Sequence, residues 1–312
     1  MSYNTKIKNT RNIRQLKYFN KNNIHTKKKS NPFSNSGKYN VVMYAIYKQD
    51  DNTITHQKNR CMCFKDEIIK NGTGSLSSSS ISGSKQIRCN KTVITGTDFC
   101  PDHQNCASVF RQFTSGYEPE FKPTAWSHPY IEGSHNCYSY FLDDKDEAIK
   151  EKCDELCIKK NKRGCPKKIS ECGDLKPQPG DYFNLINYSN LKEKTRVYQC
   201  PSMENNILSD NPSIFKTPFD KKCPKHFYKG AMVVDPDHTF HFYRQNPDAT
   251  WSHKPGTLSV SKVDADKKTI YAPHFANRNY ENDKHSDEPI IYTDVCGYYC
   301  IPTSSYMNKN AV

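Results

Sequence analysis

The stretch "HTFHFYRQNPDATWSHKPG", residues 238–256, predicts a β-hairpin. Two short runs with aromatic residues, 238–245 and 250–256, flank "NPDA", which is a turn signal because Asn, Pro and Asp favour tight turns. His241 lies on the first run and His253 on the second, 12 residues later. Residues that flank a tight turn about equally lie side by side on adjacent strands, so we expect the two imidazoles to be neighbours.

The elements around this hairpin predict an α+β fold. The clearest helix is "DKDEAIKEKCDELCIKK", residues 144–160, in which Cys153 and Cys157 share one face with the apolar residues at helical spacing. Strand-like runs follow as "GAMVVDP" at 230–236 and "PIIYTDVCGYYCIP" at 289–302. Helices first and an antiparallel sheet afterwards are typical of the α+β class.

Basic charge is concentrated at the N-terminus. Residues 1–40 hold 10 of the 46 Lys and Arg residues and no acidic residue, so the rest of the chain carries 36 basic against 33 acidic side chains. Without a sustained apolar period, this composition predicts a disordered arm. The arm is either a solvated tail or a segment that binds nucleic acid, and the nearly balanced remainder argues against nucleic-acid binding by the folded part.

Hydropathy and cysteine content set expectations for the compartment. No stretch approaches the roughly 20 apolar residues of a membrane span, and residues 1–23 lack the apolar core of a secretory signal. We therefore expect a cytoplasmic protein without a membrane partner. In a reducing compartment the 14 cysteines are expected first as metal ligands, catalytic thiols or buried apolar residues, and only second as disulfides.

The first cysteine cluster predicts a structural zinc site. "RCMCF" supplies Cys61 and Cys63, and "RCNKTVITGTDFCPDHQNC" supplies Cys89, Cys100 and His103. Zinc in a structural site takes four sulfur or nitrogen ligands in a tetrahedron. Either Cys61 or Cys63 completes the set, and the spacing leaves that choice open. The segment resembles small Cys/His modules that are common in viral and phage proteins.

A second constellation centres on Cys137 in "GSHNCYSYFLDD", residues 133–144. The run after Cys137 predicts that this cysteine opens a helix, where free N–H groups and the dipole favour a thiolate. A tight "PGD" turn follows at 179–181. A cysteine nucleophile needs a base and the base needs an orienting partner. His241 is the expected base and His253 the expected orienting residue.

Two other interpretations of these residues remain open. Cysteine is among the residues most often buried, so Cys137 is alternatively a structural thiol. His238 is a rival to His241, but its offset of three places it on the opposite face of the strand. The hairpin pairing with His253 favours His241.

The chain resembles the NlpC/P60 branch of papain-like cysteine peptidases and amidases in four features that occur in the same order along the sequence. The matching features are a cysteine that opens a helix, a P-G-D turn, a histidine on a strand and a second histidine 12 positions later, over about residues 130–302. The segments "NCYSY", "PQPGD", "HFYRQ" and "WSHKPG" also resemble a group of uncharacterised bacterial and giant-virus proteins. The neighbours of the nucleophile depart from the family, which has Asp-Cys-Ser-Gly where this chain has Asn136-Cys137-Tyr138-Ser139.

The resemblance implies a thiol hydrolase or transferase that cleaves a peptide or other amide bond with Cys137, His241 and His253. It also implies three parts: the arm 1–40, a Cys/His module 41–110 with a Gly/Ser linker, and a papain-like domain 111–312. An alternative is a catalytically inactive papain-like scaffold that binds nucleic acid or a partner. A viral source would place either form in the host cytoplasm or in a virion.

The remaining cysteines have no assigned role in either constellation. We expect burial or disulfides for them, although a second zinc site from the first four is an open alternative. These residues are Cys153, Cys157, Cys165, Cys172, Cys200, Cys223, Cys296 and Cys300.

Overall fold

The computed structural model describes residues 59–64, 88–160, 170–180, 198–236, 238–281 and 289–306. The basic arm, the apolar run 41–47 and the Gly/Ser segment 71–84 lie outside the described residues, as does Asp181 of the P-G-D turn. Within the described part of the chain, no helix is long and apolar enough to cross a membrane.

Among the described residues, five α-helices precede the sheet along the chain. They are α1 (Cys106–Arg111), α2 (Pro129–Ser134), α3 (Cys137–Phe141), α4 (Glu147–Lys160) and α5 (Cys200–Asp210). Short 3-10 helices cover Pro101–His103, Pro123–Trp126 and Ser170–Leu175. The helix predicted for 144–160 is confirmed as α4, and its predicted inward residues Cys153 and Cys157 are buried.

The strands form one antiparallel sheet, so the α+β prediction is confirmed. The strands are β1 (Phe215–Thr217), β2 (Phe227–Asp235), β3 (Thr239–Gln245), β4 (Trp251–His253) and β5 (Asp294–Pro302). Their order is β1-β5-β2-β3-β4, which places the last strand between the first two. The predicted hairpin is β3 and β4, in which Tyr243 pairs with His253 and Gln245 with Trp251.

A hydrophobic core lies on each face of this sheet. On β2, Ala231 and Val233 belong to one core, whereas Met232 and Val234 belong to the other. This alternation follows from the two-residue period of a strand. Helices α3 and α5 cover the second face. Segments 59–64 and 88–113, the described parts of the Cys/His region, contribute to the core on the first face.

Helix α3 packs closely on the sheet at Gly230 of β2. A side chain at Gly230 would meet the ring of Phe141 and the side chain of Ile301. The missing Cβ therefore lets α3, which begins at Cys137, approach the strands. Phe141 and Tyr138 stack against Phe242 of β3, with ring centroids 4.7 Å and 5.2 Å apart.

Disulfides hold most of the described cysteines. The bonds are Cys63–Cys106, Cys153–Cys172, Cys200–Cys296 and Cys223–Cys300, and Cys157 is disulfide-bonded as well. The general expectation that disulfides come second to metal ligands, catalytic thiols and buried thiols is therefore wrong. The expectation of burial or disulfides for the remaining cysteines is confirmed for the seven that the structure describes, and the alternative of a second zinc site that includes Cys153 and Cys172 is wrong. Cys165 lies outside the described residues.

Candidate functional site

Asn136 positions Cys137 at the first residue of α3. The Asn136 side-chain oxygen accepts hydrogen bonds from the backbone N–H groups of Tyr138 and Ser139, each at 3.1 Å. Asparagine is among the best residues for this N-cap role. Its Nδ2 also donates to the carbonyl of Pro177 at 2.7 Å. Asn136 thus fixes both the helix and the Pro-Gln-Pro-Gly segment, a role that its place before an apolar run could have signalled.

Asp210 holds the turn against the same helix. Its Oδ2 accepts a hydrogen bond from the Tyr138 hydroxyl at 2.8 Å and from the Gly180 N–H at 2.7 Å. Gly180 has a φ of +94°, a conformation that favours glycine. Asp210 therefore holds the Pro-Gly turn next to the helix that begins at Cys137.

The two histidines of the hairpin form a directional pair. His253 Nε2 lies 3.0 Å from the carbonyl oxygen of Val263, and His241 Nε2 lies 2.7 Å from His253 Nδ1. A carbonyl only accepts, so His253 carries its proton on Nε2 and its Nδ1 accepts from His241 Nε2–H. A neutral His241 in this tautomer keeps its lone pair on Nδ1.

Burial keeps both imidazoles neutral. It lowers the pKa of His241 well below the usual 6.5, and the charge of His253 acts in the same direction. The pKa of His253 falls to about 4, again mainly through burial. The ring of His241 stacks on Tyr292 with centroids 5.2 Å apart and meets Tyr243 edge-on at 5.0 Å.

The thiol of Cys137 lies at the edge of β3 where β4 has ended. Asn246, which directly follows β3, donates its N–H to the carbonyl of Thr250 across the hairpin, so Phe242 of β3, four residues earlier, directs its N–H to the same edge. Strand β4 ends at His253, opposite Tyr243. The backbone N–H of Phe242 acts on the Cys137 thiol and lowers its pKa, so the thiol lies near the residue that follows His241.

The thiol is closed off from solvent in this structure. Cys137 is 4% exposed, and burial raises its pKa from 9.0 to about 12 against the opposing effects of the Phe242 N–H and Lys254. The expectation that the helix start makes Cys137 a thiolate is therefore wrong here, because burial outweighs it. Within the described residues, the hydrogen bonds of the two imidazoles run to each other and to Val263, not to the Cys137 sulfur.

His238 lies away from this centre. It precedes β3, its side chain is 43% exposed, and its Nδ1 lies 3.1 Å from Asp235 Oδ1. Between the two histidines weighed for the base, only His241 contacts His253.

A second centre contains four buried metal-ligand side chains. The ligand atoms of Cys61, Cys89, Cys100 and His103 all lie within 4.8 Å of one another. Cys63 is not one of them, because it forms the disulfide with Cys106. The spacing left open whether Cys61 or Cys63 belongs to the cluster, and the structure places Cys61 there.

The distances in this cluster fit a tetrahedral ion. Zn–S bonds of about 2.3 Å and Zn–N bonds of about 2.0–2.1 Å place sulfur and nitrogen ligands ~3.6 Å apart. His103 Nδ1 lies 3.3 Å from the Cys100 sulfur and 3.5 Å from the Cys61 sulfur. The Cys100 N–H donates to the Cys61 sulfur at 3.2 Å, an orientation that stabilises a thiolate ligand.

Two arginines tie this cluster together and to the sheet region. Arg60 Nε donates to the carbonyl of Cys89 at 2.6 Å, and Arg88 Nε donates to the carbonyl of Cys61 at 3.0 Å. Arg88 also donates from Nη1 to the carbonyl of Phe275 at 2.9 Å. The two corners of the cluster are therefore cross-linked by side-chain hydrogen bonds and anchored to the following part of the chain.

Comparison of the chain with protein-family models, with curated proteins and with solved structures found no match. The functional interpretation therefore depends on the geometry of these two centres.

Proposed function

We propose that this protein is a thiol hydrolase or transferase that acts on an amide bond, with Cys137 as nucleophile, His241 as base and His253 as its orienting residue. The observation that carries the proposal is the Val263–His253–His241 hydrogen-bond chain, which fixes the tautomer of His241. A base held in one tautomer by a second polar residue is the arrangement that nucleophilic thiol catalysis needs. The resemblance of residues 130–302 to the NlpC/P60 branch supports the same chemistry and a papain-like fold.

The proposed reaction has two halves. His241 Nδ1 takes the proton of the Cys137 thiol as the sulfur attacks the substrate carbonyl carbon, and the Cys137 N–H faces the developing oxyanion. The tetrahedral intermediate collapses when the imidazolium of His241 returns that proton to the leaving amine. Water or another nucleophile then attacks the thioester and loses its proton to His241. The C–S bond breaks, the acyl group leaves with the new nucleophile, and His241 returns the proton to the Cys137 sulfur.

The resting pair would be neutral. The raised pKa of Cys137 and the lowered pKa of His241 both disfavour a thiolate–imidazolium ion pair. Proton transfer would then accompany attack on the substrate, as in a serine hydrolase. His253 has no fixed negative charge to stabilise the imidazolium, so turnover should be slower than with an aspartate in its place.

Alkylation of Cys137 by iodoacetamide tests whether His241 acts on the thiol. The His241→Ala variant should react at least about tenfold more slowly at the same pH, because the local base is lost. The matched control is His238→Ala, which removes an exposed histidine that lies outside the pair. Equal rates for all three proteins would refute the proposed base.

We also propose that Cys61, Cys89, Cys100 and His103 bind a structural zinc ion. All four positions would be filled by protein ligands, which leaves no coordination site for a substrate. The four side chains are buried, and their separations fit the tetrahedron described above. Metal analysis of protein purified without chelator tests this, and absence of zinc would contradict it.

A second candidate function is a catalytically inactive papain-like scaffold for a partner or nucleic acid. The closed Cys137 thiol and its raised pKa favour this alternative. Nucleic-acid binding would come from residues 1–40, which carry no acidic residue. Binding that weakens steeply with salt and disappears when residues 1–40 are deleted would support it.

The disulfides favour an oxidising location, such as a virion, over the reduced cytoplasm. Four disulfides join described cysteines, and the Cys200–Cys296 bond spans 96 residues. Such bonds persist where thiols are not kept reduced. The three cysteines of the metal cluster would be protected from oxidation by their ion.

A further inference from the structure

Lys254 joins the end of β4 to the end of α2. It directly follows His253, is fully buried, and donates from Nζ to the carbonyls of Glu132, His135 and Gly256, each at 2.8 Å. The last carbonyls of a helix lack partners within the helix, and a cation is favourable at this end. The ammonium of Lys254 supplies both hydrogen-bond donors for these carbonyls and a positive charge at the end of α2.

The two ends that Lys254 joins carry the two halves of the thiol centre. His135 is two residues before Cys137, and Lys254 is one residue after His253. A single side chain thus connects the segment that holds the thiol with the strand that holds the orienting imidazole. It does so beside the edge of β3, where the Phe242 N–H meets the Cys137 sulfur.

We infer that Lys254 is a positioning residue of this centre, whose three hydrogen bonds fix Cys137 relative to the His241–His253 pair. The inference rests on the proposed thiol chemistry. Thiol reactions that use a neighbouring base depend on the separation of the two groups to within fractions of an ångström. Loss of the Lys254 hydrogen bonds should therefore uncouple Cys137 from His241 rather than only destabilise the fold.

Lys229 of β2 provides a matched control. It is also fully buried and donates from Nζ to two backbone carbonyls, those of Phe113 and Phe219. Neither carbonyl belongs to the segments that carry the thiol centre. Lys229→Met and Lys254→Met both remove a buried amino group and leave backbone carbonyls without a donor, so both should lower the thermal midpoint.

The test is a double-mutant comparison on the full-length protein. Iodoacetamide alkylation of Cys137 is measured at one pH in unaltered protein, Lys229→Met and Lys254→Met, each with and without His241→Ala. The readout is the factor by which His241→Ala slows the reaction, since residues that act together show non-additive effects. We expect about tenfold or more in unaltered protein and in Lys229→Met, but less than about twofold in Lys254→Met.

The outcomes separate this inference from the proposed function. If His241→Ala slows alkylation by the same factor in Lys254→Met as in unaltered protein, the positioning role is overturned and the proposed base remains intact. If His241→Ala does not slow alkylation in otherwise unaltered protein, both the proposed base and the positioning role are overturned, because His241 then does not act on Cys137. If Lys254→Met does not fold, Lys254→Arg is measured the same way, because its planar guanidinium keeps a cation but cannot serve three converging carbonyls. A reduced factor supports the inference and an unchanged factor overturns it.

Discussion

In the His241→Ala variant, which lacks the proposed base, the reactivity of Cys137 should rise steadily with pH and show no plateau near neutrality. Without a local base only the thiolate is alkylated, and burial raises the pKa of this thiol from 9.0 to about 12. A difference of three units corresponds to a thiolate fraction about 1,000-fold smaller than that of an unperturbed thiol at any pH below 9. We therefore expect the alkylation rate of His241→Ala to increase about tenfold per pH unit up to at least about pH 10. In the unaltered protein neutral His241 assists the reaction, so the rate near neutrality should be higher and depend less on pH.

The assay follows one peptide by mass spectrometry. Native protein is treated with iodoacetamide at pH values between about 6.5 and about 10, quenched and digested, and modification of the Cys137 peptide is measured over time. The reference is the same peptide in denatured, unreduced protein, whose rate should level off near the ordinary thiol pKa. The cysteines of the metal cluster report on separate peptides.

The opposite result would be decisive against the burial argument. A plateau below about pH 8, with a native rate similar to or above that of the denatured chain, would mean that the folded protein stabilises the thiolate. The resting state would then be an ion pair with His241, and the neutral-pair mechanism would be wrong. A steady rise in His241→Ala, below a faster and less pH-dependent rate in the unaltered protein near neutrality, would support both the burial argument and the base.

Four further predictions concern the metal cluster, the sheet, the histidine pair and the thiols. Cys100→Ser should lose bound zinc and lower the thermal midpoint, whereas the double variant Cys63→Ser with Cys106→Ser should keep its zinc, as measured by metal analysis. Gly230→Ala should lower the free energy of unfolding by about 1–3 kcal/mol in a denaturant titration, because the added methyl group meets the phenyl ring of α3. The stability that the neutral His253 contributes is fully present above about pH 6.5 and is lost as pH falls toward its folded pKa of about 4. Between pH 7.5 and pH 4.5, the free energy of unfolding of the unaltered protein should therefore fall by about 2.5 kcal/mol more than that of His253→Phe, as measured by urea unfolding. Thiol titration of denatured, metal-free and unreduced protein should detect the four free cysteines found among the described residues, and many more after reduction.

Local patterns were sufficient to predict the elements that carry the thiol centre. The hairpin of β3 and β4 follows from strand-length runs around a turn, and α4 follows from helical spacing, both of which depend on neighbouring residues. The start of α3 at Cys137 was also predicted from the run that follows it. The Asn136 cap was not predicted, although its residue type and position are a recognised helix-start signal.

Long-range pairings could not be predicted in the same way. Strand β1 has only three residues, and its partners in β5 lie 81 to 85 positions later in the chain, as in the pairs Thr217–Tyr298 and Phe215–Cys300. Strand β5 lies between β1 and β2. The sequence also does not specify which cysteines pair, because the number of possible connectivities grows steeply with their count. The burial of Cys137 depends on such tertiary packing, which is why the prediction of a thiolate was wrong while the position of the residue was right.

The end of β4 explains how the thiol centre is assembled. Strand β4 ends at His253, opposite Tyr243, directly before the segment "KPG". Because β4 stops there, the backbone of Phe242 lies beside the Cys137 thiol and not beside a β4 residue. The same interruption turns Lys254 away from the ladder toward the end of α2. The end of β4 is thus the point at which the thiol, the orienting histidine and the Lys254 amino group that joins their segments meet.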